Sequence, residues 1–115
     1  SLIAQVNRRT RLQVTEQNGI QVCTLFGGFY FGASYDLAAK FSALQGKTFI
    51  LDLSQCDFAD ISGVYAFEDE ISIKRDAGST VYLVADPKQN LIDLREKVGN
   101  DKVFTSVKDA LAAAV

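Results

Sequence analysis

Residues 48–67 change their hydrophobic period from that of a buried strand to that of an amphipathic helix, and this change most limits the possible folds. Residues 49–53 form a compact apolar run with one acidic residue, as is typical of a central strand covered on both faces. From Ile61 onward, apolar residues recur at spacings of three, three and four, which predicts a helix over residues 61–76. A buried strand that leads directly into a helix indicates an α/β layered domain.

The start of this helix carries the most chemical information in the chain. Asp60 is a good N-cap residue, so Ser62 and Gly63 fall in the first helical turn. The backbone N–H groups of that turn lack intrahelical partners and, together with the helix dipole, favour an anion, including a phosphate esterified to Ser62. Glycine at position 63 also allows another surface to approach closely. We therefore regard Ser62 as a candidate phosphoacceptor.

The N-terminal part of the chain predicts an antiparallel β-hairpin. Apolar residues alternate around Leu12 and Val14 and again over residues 20–26, and the sequence Gln-Asn-Gly at residues 17–19 is a turn signal between them. The hairpin therefore precedes the strand and helix described above and supplies antiparallel pairing at one edge of the sheet.

An aromatic run follows the hairpin. The glycines at residues 27–28 are expected to interrupt the second strand, with a bulge or a short strand before the next element. Phe29 and Phe31 are predicted to face the core and Tyr30 to face outward. A cluster that stacks on a ligand is the alternative interpretation.

The remaining helices and strands complete an alternating pattern. Ser34 is predicted to cap a helix that ends near Leu44. Asp86 with the following proline predicts the start of a helix through Val98, and Ser106 opens a last helix with a capping pattern. Two further strands are predicted, at residues 80–84 and around residues 103–104.

The predicted fold is a single α/β domain over residues 1–115, with a mixed, mostly parallel sheet, an N-terminal antiparallel hairpin and helices packed on the sheet. The helix over residues 61–76 has a charged side that we interpret as a solvated face; a surface for a partner is the alternative. The residues of that side are Glu68, Asp69, Glu70, Lys74 and Arg75.

Composition argues against several functional classes. Twelve basic and fourteen acidic residues give a net charge of −2 without any basic block, so nucleic acid is not an expected partner. No apolar run approaches the ~20 residues that span a bilayer, and the N-terminus lacks a signal-peptide pattern. The chain has no histidine, the commonest general base and a common metal ligand. We expect no catalytic residues and no cofactor.

Cysteine and aspartate residues give little indication of a metal site. Cys23 and Cys56 lie within or beside apolar strand patterns and are predicted to be buried free thiols. Asp52, Asp57 and Asp60 are close in sequence and could in principle hold Mg²⁺. Because aspartates at strand ends and helix N-caps are common structural residues, the structural interpretation is preferred.

Together, these motifs resemble a STAS domain, the family shared by anti-sigma-factor antagonists and the cytoplasmic C-termini of SulP anion transporters. The resemblance covers nearly the whole chain. Its most specific part is the strand LDLSQC at residues 51–56, then Phe58, Ala59 and Asp60, then the helix start ISGV at residues 61–64. In the antagonists, a partner kinase phosphorylates the hydroxyl residue just before the glycine, and Ser62 occupies that position here.

Two segments are more similar to the transporter branch of the family. Residues 27–32 resemble the Gly-Pro-Leu-Phe-Phe-Gly run of transporter STAS domains, and residues 62–69 resemble their Ser-Gly-Leu-Tyr-Ala-Leu-Glu-Asp pattern. The chain departs from the family at Gly28, where proline is usual, and at Ile61, where the antagonists usually carry serine.

The resemblance implies a non-catalytic regulatory and protein-interaction domain of a SulP-type transporter for sulfate, bicarbonate or dicarboxylate, at the cytoplasmic face of the membrane and soluble when isolated. The absence of methionine, even at position 1, is expected for a piece of a longer chain. The implied partners are the transmembrane part of the same chain and another cytoplasmic protein or a kinase. The predicted interaction loop and helix start comprise Asp57, Phe58, Asp60, Ile61, Ser62, Gly63 and Tyr65.

Two other functions stay open at the level of sequence. The first is a stand-alone anti-sigma-factor antagonist that is switched by phosphorylation of Ser62. The second is a sensor that binds a nucleotide or another anion at the helix starts near Ser34 and Ser62. No Walker-type phosphate loop is present, so nucleotide binding depends on the family analogy alone.

Overall fold

The computed structural model describes residues 11–28, 31–57, 62–89 and 91–115, which form six strands and four α-helices in an alternating order. A short 3₁₀ helix at Asn100–Lys102 precedes the last strand. In chain order the elements are β1 (Arg11–Gln17), β2 (Ile20–Gly28), α1 (Phe31–Ala43), β3 (Thr48–Asp52), β4 (Cys56–Asp57), α2 (Ser62–Asp76), β5 (Thr80–Val84), α3 (Ile92–Val98), β6 (Val103–Phe104) and α4 (Val107–Ala114).

Five strands form a mixed sheet in the order β1-β2-β3-β5-β6, and β4 pairs with the end of β2. Strands β1 and β2 are antiparallel, whereas β2, β3, β5 and β6 are parallel to one another. This topology confirms the α/β class, the mostly parallel sheet and the N-terminal hairpin that were predicted. The predicted bounds of β5 are also confirmed. Helix α2 is described over Ser62–Asp76, and the predicted first residue, Ile61, lies outside the described residues.

The hairpin turn follows from two residues with positive φ angles. Gln17 pairs directly with Ile20, so the loop contains two residues, Asn18 with φ 54° and Gly19 with φ 80°. Positive φ at both central positions is the requirement of the type I′ turn, whose twist matches that of paired strands. The predicted hairpin and its turn are confirmed.

The prediction that glycines interrupt β2 is wrong. The strand continues through Gly27 to Gly28, and these residues pair in parallel with Cys56 and Asp57 of β4. Gly27 has a φ of 94°, a conformation that glycine adopts at little cost. Strand β4 has only two residues, so it was too short for hydrophobic alternation to reveal it in the sequence.

Helix α1 begins earlier than predicted. It extends over Phe31–Ala43, so Ser34 lies inside the helix instead of capping it, and Phe31 belongs to the helix instead of a strand. The aromatic run favoured a strand by propensity, but the chain must return along the sheet once β2 ends, and Ala33 is a strong helix former. The positions of Phe29 and Tyr30 lie outside the described residues.

Helix α3 begins later than predicted, at Ile92 instead of near Pro87. Residues 86–89 form a turn in which the Gln89 N–H donates to the Asp86 carbonyl at 2.9 Å. The Asp86 carboxylate accepts the Lys88 N–H at 2.8 Å, and the Asp86 N–H donates to Gln89 Oε1 at 2.8 Å. These bonds satisfy backbone N–H groups in a non-helical turn, so they compete with helix formation. Aspartate side chains commonly have this effect in turns.

Helix α4 begins as predicted. Ser106 is its N-cap, and the Ser106 Oγ accepts the backbone N–H of Asp109 at 3.1 Å. This bond satisfies one of the free N–H groups of the first turn. The capping pattern in the sequence is thereby confirmed.

Two layers of apolar side chains cover the two faces of the sheet. The larger layer lies under α1, α2 and α3, and the smaller lies under α4. In β3, Phe49 and Leu51 belong to the larger layer and Ile50 to the smaller, as alternation along a strand requires. Within the described ranges, no helix combines the length and the apolar character needed to cross a membrane.

Lys74 is buried, which corrects its predicted place on the solvated face of α2. Only 7% of the residue is exposed. Its ammonium donates to the Leu44 carbonyl at 2.9 Å and to the Ser42 carbonyl at 3.5 Å, just at the C-terminal end of α1. The same nitrogen lies 4.9 Å from the ring centre of Phe41 and 4.3 Å from that of Phe49. Lys74 therefore connects α1 to α2 through hydrogen bonds and cation–π contacts.

Cys23 gives the protein a predictable response to alkaline pH. Burial raises the pKa of its thiol from 9.0 to about 12, although the Lys74 ammonium lowers it in part. Between these values the unfolded chain releases the thiol proton while the folded chain retains it, so stability falls as the pH rises above 9. From pH 8 to pH 10, we expect wild type to lose on the order of 1 kcal/mol more unfolding free energy than Cys23→Ala.

Urea unfolding at pH 8, 9 and 10 measures this difference. The alanine variant serves as the reference because it has no thiol at this position, while its packing defect is the same at every pH. Parallel pH profiles for the two proteins would show that the Cys23 thiol does not remain protonated in the folded state.

Candidate docking site

The topology brings the starts of three helices to one edge of the sheet. Strands β2, β3 and β5 are parallel, and α1, α2 and α3 follow them, so the starts of these helices lie beyond the carboxyl ends of the strands. In open α/β sheets this edge is where binding sites usually lie. Helices α1 and α2 pack side by side in the same direction.

Ser62 is the first residue of α2, and Gly63 is the second. Both residues therefore belong to the turn whose backbone N–H groups have no intrahelical acceptor. The partial positive charge of the helix dipole is greatest at this end. The backbone at Ser62 is therefore suited to a hydrogen-bond acceptor or a negatively charged group, and binding of an anion there remains a prediction.

A tight turn between β3 and β4 precedes this helix start. The Cys56 N–H donates to the Leu53 carbonyl at 3.1 Å, which closes a turn of four residues. Asp52 is 95% buried, and its Oδ1 accepts the Ser54 N–H at 3.0 Å and the Ser54 hydroxyl at 2.6 Å. The carboxylate thus stabilises the turn through Ser54, which lies inside the turn and only two residues away in sequence.

Two exposed tyrosines lie close to the helix starts. Tyr65, the fourth residue of α2, is 49% exposed, and Tyr35, the fifth residue of α1, is 54% exposed. Tyrosine supplies a large apolar surface with a polar end, and it is enriched in protein interfaces. Sequence reasoning included Tyr65 but missed Tyr35. Its position off the apolar stripe of Leu37, Ala38 and Phe41 was the signal that could have identified it.

Acidic groups lie on the α3 side of this surface. Burial raises the pKa of the Glu68 carboxyl, and the nearby Asp93 of α3 raises it further, while Lys97 acts in the opposite direction. One oxygen of Glu68 is buried without a hydrogen-bond partner among the described residues. With Asp69 also adjacent, the flank of α2 beyond Tyr65 is negative and would repel an anionic partner at that side.

The structure places the other predicted site residues as follows. Asp57 is the last residue of β4, so its backbone lies beside Gly28. Phe58, Asp60 and Ile61 lie outside the described residues, and the proposed N-cap role of Asp60 remains a prediction. Ser34 lies in the first part of α1, on the neighbouring helix, and its role in anion or nucleotide binding also remains a prediction.

Of the three aspartates considered as metal ligands, Asp52 is the one whose side chain the structure describes. Asp52 directs a carboxylate oxygen to Ser54, and no group of three or more cysteine, aspartate or glutamate side chains that could hold a metal was found among the described residues. The structural interpretation of Asp52 therefore accounts for its burial. A carboxylate that is hydrogen-bonded within its own turn is common where a strand ends.

An open cleft of about 330 Å³ lies at the opposite edge of the sheet, between the ends of α1 and α2. It is lined by Gly46, Glu70, Ile73, Lys74 and Ser79, among others. The Lys74 ammonium is already bonded to the end of α1, and Ser79 Oγ donates to the Gly46 carbonyl at 3.0 Å. Because its lining residues lie at or before the starts of β3 and β5 and in the last turns of α2, the cleft is separate from the surface around Ser62 and Tyr65.

Comparison with known proteins identifies the family. The model of the STAS domain matches residues 11–114, which is most of the chain. No curated protein sequence gives a significant match. Among solved structures, the SulP transporter STAS domain from Vibrio cholerae is 25% identical, with a TM-score of 0.69, over 98% of this chain and 92% of that one.

Two other structures share the fold at lower identity. The Bacillus cell fate determinant SpoIIAA in its phosphorylated form is 18% identical, with a TM-score of 0.71, over 91% of this chain and all of that chain. The murine anion transporter Slc26a9 is 20% identical, with a TM-score of 0.71, over 98% of this chain and 24% of that much longer chain. The shared fold thus extends over all of the SpoIIAA chain and over about a quarter of the Slc26a9 chain. With a family match over residues 11–114 and the same fold in these structures, the chain belongs to the STAS domain family.

Proposed function

We propose that this domain is a non-catalytic regulatory and protein-interaction module of a SulP-family anion transporter. The observation that carries the proposal is the similarity to the Vibrio cholerae SulP STAS domain, which extends over 98% of the chain at 25% identity. The transporter-like sequence SGVYAFED at residues 62–69 adds support, because it forms the start of α2 and includes the exposed Tyr65.

In this proposal, the partner is the transmembrane part of the same transporter, and the domain lies at the cytoplasmic face of the membrane. The murine transporter Slc26a9, in which a STAS domain is part of a longer chain, supports this arrangement. The exposed rings of Tyr35 and Tyr65 provide the apolar contacts, and the start of α2 provides hydrogen-bond donors for a partner's acceptor groups.

The complete gene product tests this proposal. Its sequence is expected to place the domain after ten or more apolar spans, and a complete reading frame of about this length would contradict the proposal. In proteoliposomes, the initial rate of radiolabelled sulfate uptake by the complete protein is compared with that of a form lacking this domain. Bicarbonate and dicarboxylates are tested in the same way because the transported anion is not specified by the domain.

A second candidate function is an anti-sigma-factor antagonist switched by phosphorylation of Ser62. The observation in its favour is that Ser62 is the first residue of α2, where a phosphate would be stabilised by the helix dipole. The fold shared with SpoIIAA, an anti-sigma factor antagonist solved in both unphosphorylated and phosphorylated forms, is consistent with this function.

Incubation with candidate serine kinases and ATP, followed by mass spectrometry, distinguishes the two candidates. The antagonist function predicts a single phosphate on Ser62, absent in Ser62→Ala but present in the matched variant Ser42→Ala, which removes an exposed serine hydroxyl near the opposite end of α1. Incorporation elsewhere, or none at Ser62, would favour the transporter function.

A further inference from the structure

The side chain of Gln89 joins two loops at the carboxyl edge of the sheet. Its Nε2 donates to the Leu53 carbonyl at 2.9 Å and to the Cys56 carbonyl at 3.1 Å. Its Oε1 accepts the Asp86 N–H at 2.8 Å. Both donors and the acceptor of the carboxamide are therefore engaged. The loop after β5 is thus connected directly to the loop after β3.

The two carbonyls that Gln89 contacts are the ends of one turn. Leu53 and Cys56 are the first and last residues of the turn between β3 and β4, and they are 1% and 7% exposed. Asp52 also stabilises this turn through Ser54, but Asp52 is adjacent to the turn in sequence, whereas Gln89 is distant.

Backbone bonds also hold the turn to neighbouring strands, because the Gly27 N–H donates to the Gln55 carbonyl at 3.4 Å and the Leu53 N–H donates to the Val84 carbonyl at 2.8 Å. Gln89 adds a side-chain contact from the loop after β5, and five residues, 57–61, separate the turn from Ser62.

We propose that Gln89 is a positioning residue for the docking site, because it holds both ends of the turn from which the chain continues to the start of α2. This inference rests on the proposed function in one respect, namely that the surface around Ser62 and Tyr65 binds a partner. A change in the turn of residues 86–89 is then transmitted to this surface through the carboxamide, without any contact between Gln89 and the partner.

The chemistry of the contact requires an amide. Glutamate at position 89 would keep an acceptor for the Asp86 N–H but would turn a carboxylate oxygen toward the Leu53 and Cys56 carbonyls. Two hydrogen bonds are lost and replaced by repulsion between oxygens. Protonation of the introduced carboxyl restores one O–H donor, so the defect of Gln89→Glu should diminish at acidic pH. A side chain that only fills space would show no such pH dependence.

Hydrogen exchange and amide NMR shifts of the 115-residue chain test the contact. In Gln89→Glu at pH 7, we expect exchange of the Cys56 amide to be about tenfold faster than in wild type, with shifts concentrated over residues 53–67. At pH 4 to 5, the shifts should return toward those of wild type at the same pH. Gln89→Ala should show the same local change without the pH-dependent recovery, and it replaces Gln89→Glu if that variant does not fold.

Gln21 provides a matched control. Its Nε2 also donates to a backbone carbonyl, that of Gln45 at 2.6 Å, but at the opposite edge of the sheet. Gln21→Glu should leave the amides of residues 53–67 unchanged. The positioning role is overturned if Gln21→Glu changes these amides as much as Gln89→Glu does, or if the Gln89→Glu shifts do not recover at acidic pH.

Sulfate uptake by the complete gene product separates this inference from the proposed function. At pH 7, Gln89→Glu should change the uptake rate in the same direction as Tyr65→Ala. If Tyr65→Ala changes uptake and Gln89→Glu does not, the positioning role is wrong and the proposed function stands. If neither variant changes uptake while the local amide shifts are observed, the proposed function fails, whereas the hold of Gln89 on the turn is confirmed.

Discussion

Replacement of Lys74 by alanine is expected to lower the free energy of unfolding by about 2–4 kcal/mol. The substitution removes the hydrogen bonds to the Leu44 and Ser42 carbonyls and the contacts with the rings of Phe41 and Phe49. It also leaves the carbonyls at the end of α1 without this donor. Urea unfolding at pH 7 and 25 °C measures the loss.

Two variants distinguish the contact from a general effect of removing a lysine. Lys74→Met retains most of the apolar stem and removes the cost of burying a charge, so it should recover more than half of the loss. Lys40→Ala removes an exposed lysine from the last turn of α1 and should cost about 0.5 kcal/mol or less. Equal effects of Lys74→Ala and Lys40→Ala would contradict the structural role of Lys74.

The same lysine has a pH signature of its own. Burial lowers the pKa of Lys74 from 10.5, while Cys23 and Glu70 act in the opposite direction. The folded chain therefore releases this proton at a lower pH than the unfolded chain, and the cost of burying the ammonium is relieved as the pH rises toward 10.5. Measured in the Cys23→Ala background, the advantage of Lys74 over Lys74→Met should increase between pH 7 and pH 10.

Truncation of Tyr65 to alanine is expected to have the largest effect on function. If the proposed docking occurs through this surface, removal of a central aromatic ring should weaken the contact by about tenfold or more. In the complete gene product, the initial rate of sulfate uptake should then move most of the way toward the rate of the form lacking the domain. Because Tyr65 is 49% exposed, the stability of the domain should change by about 1 kcal/mol or less.

Ile73 offers a matched control on the same helix. It is 57% exposed, but it lies near the other end of α2, beside the cleft at the opposite edge of the sheet. Ile73→Ala should therefore leave uptake unchanged, and Tyr65→Phe should retain the ring and most of the function. Equal effects of Tyr65→Ala and Ile73→Ala would indicate a general loss of surface contacts instead of a site at the start of α2.

Strong periodicity made several elements predictable. Strand β3 and helix α2 have long apolar patterns of different period, and the structure places them within one residue of the predicted bounds. The turn with Asn18 and Gly19 requires positive φ angles that these residues tolerate, so it was predictable from local chemistry alone. In each of these cases, local preference and tertiary packing favour the same structure.

Contacts distant in sequence decided the elements that were missed. Strand β4 exists because Cys56 and Asp57 pair with Gly27 and Gly28, some thirty residues earlier in the chain. The delayed start of α3 depends on the turn that Gln89 closes, and Gln89 is also held by the Leu53 and Cys56 carbonyls. No local pattern in the sequence indicates such partners.

The candidate site combines both kinds of information. The hydroxyl at position 62, the glycine after it and the following Tyr65 were read from sequence, and the backbone of Ser62 is at the start of α2 as predicted to within one residue. Tyr35 and Gln89 were proposed only from the structure, because they lie on a different helix and in a different loop from Ser62.

The sequence by itself determined the α/β class, the hairpin, the order of the main elements and the serine at a helix start, because hydrophobic period and turn chemistry act over a few neighbouring residues. Only the tertiary structure decided that Lys74 is buried and that Gln89 connects two loops. A hydrophobic pattern identifies lysine and glutamine only as polar residues. The partners of their long side chains depend on which backbone carbonyls the folded chain brings close to them.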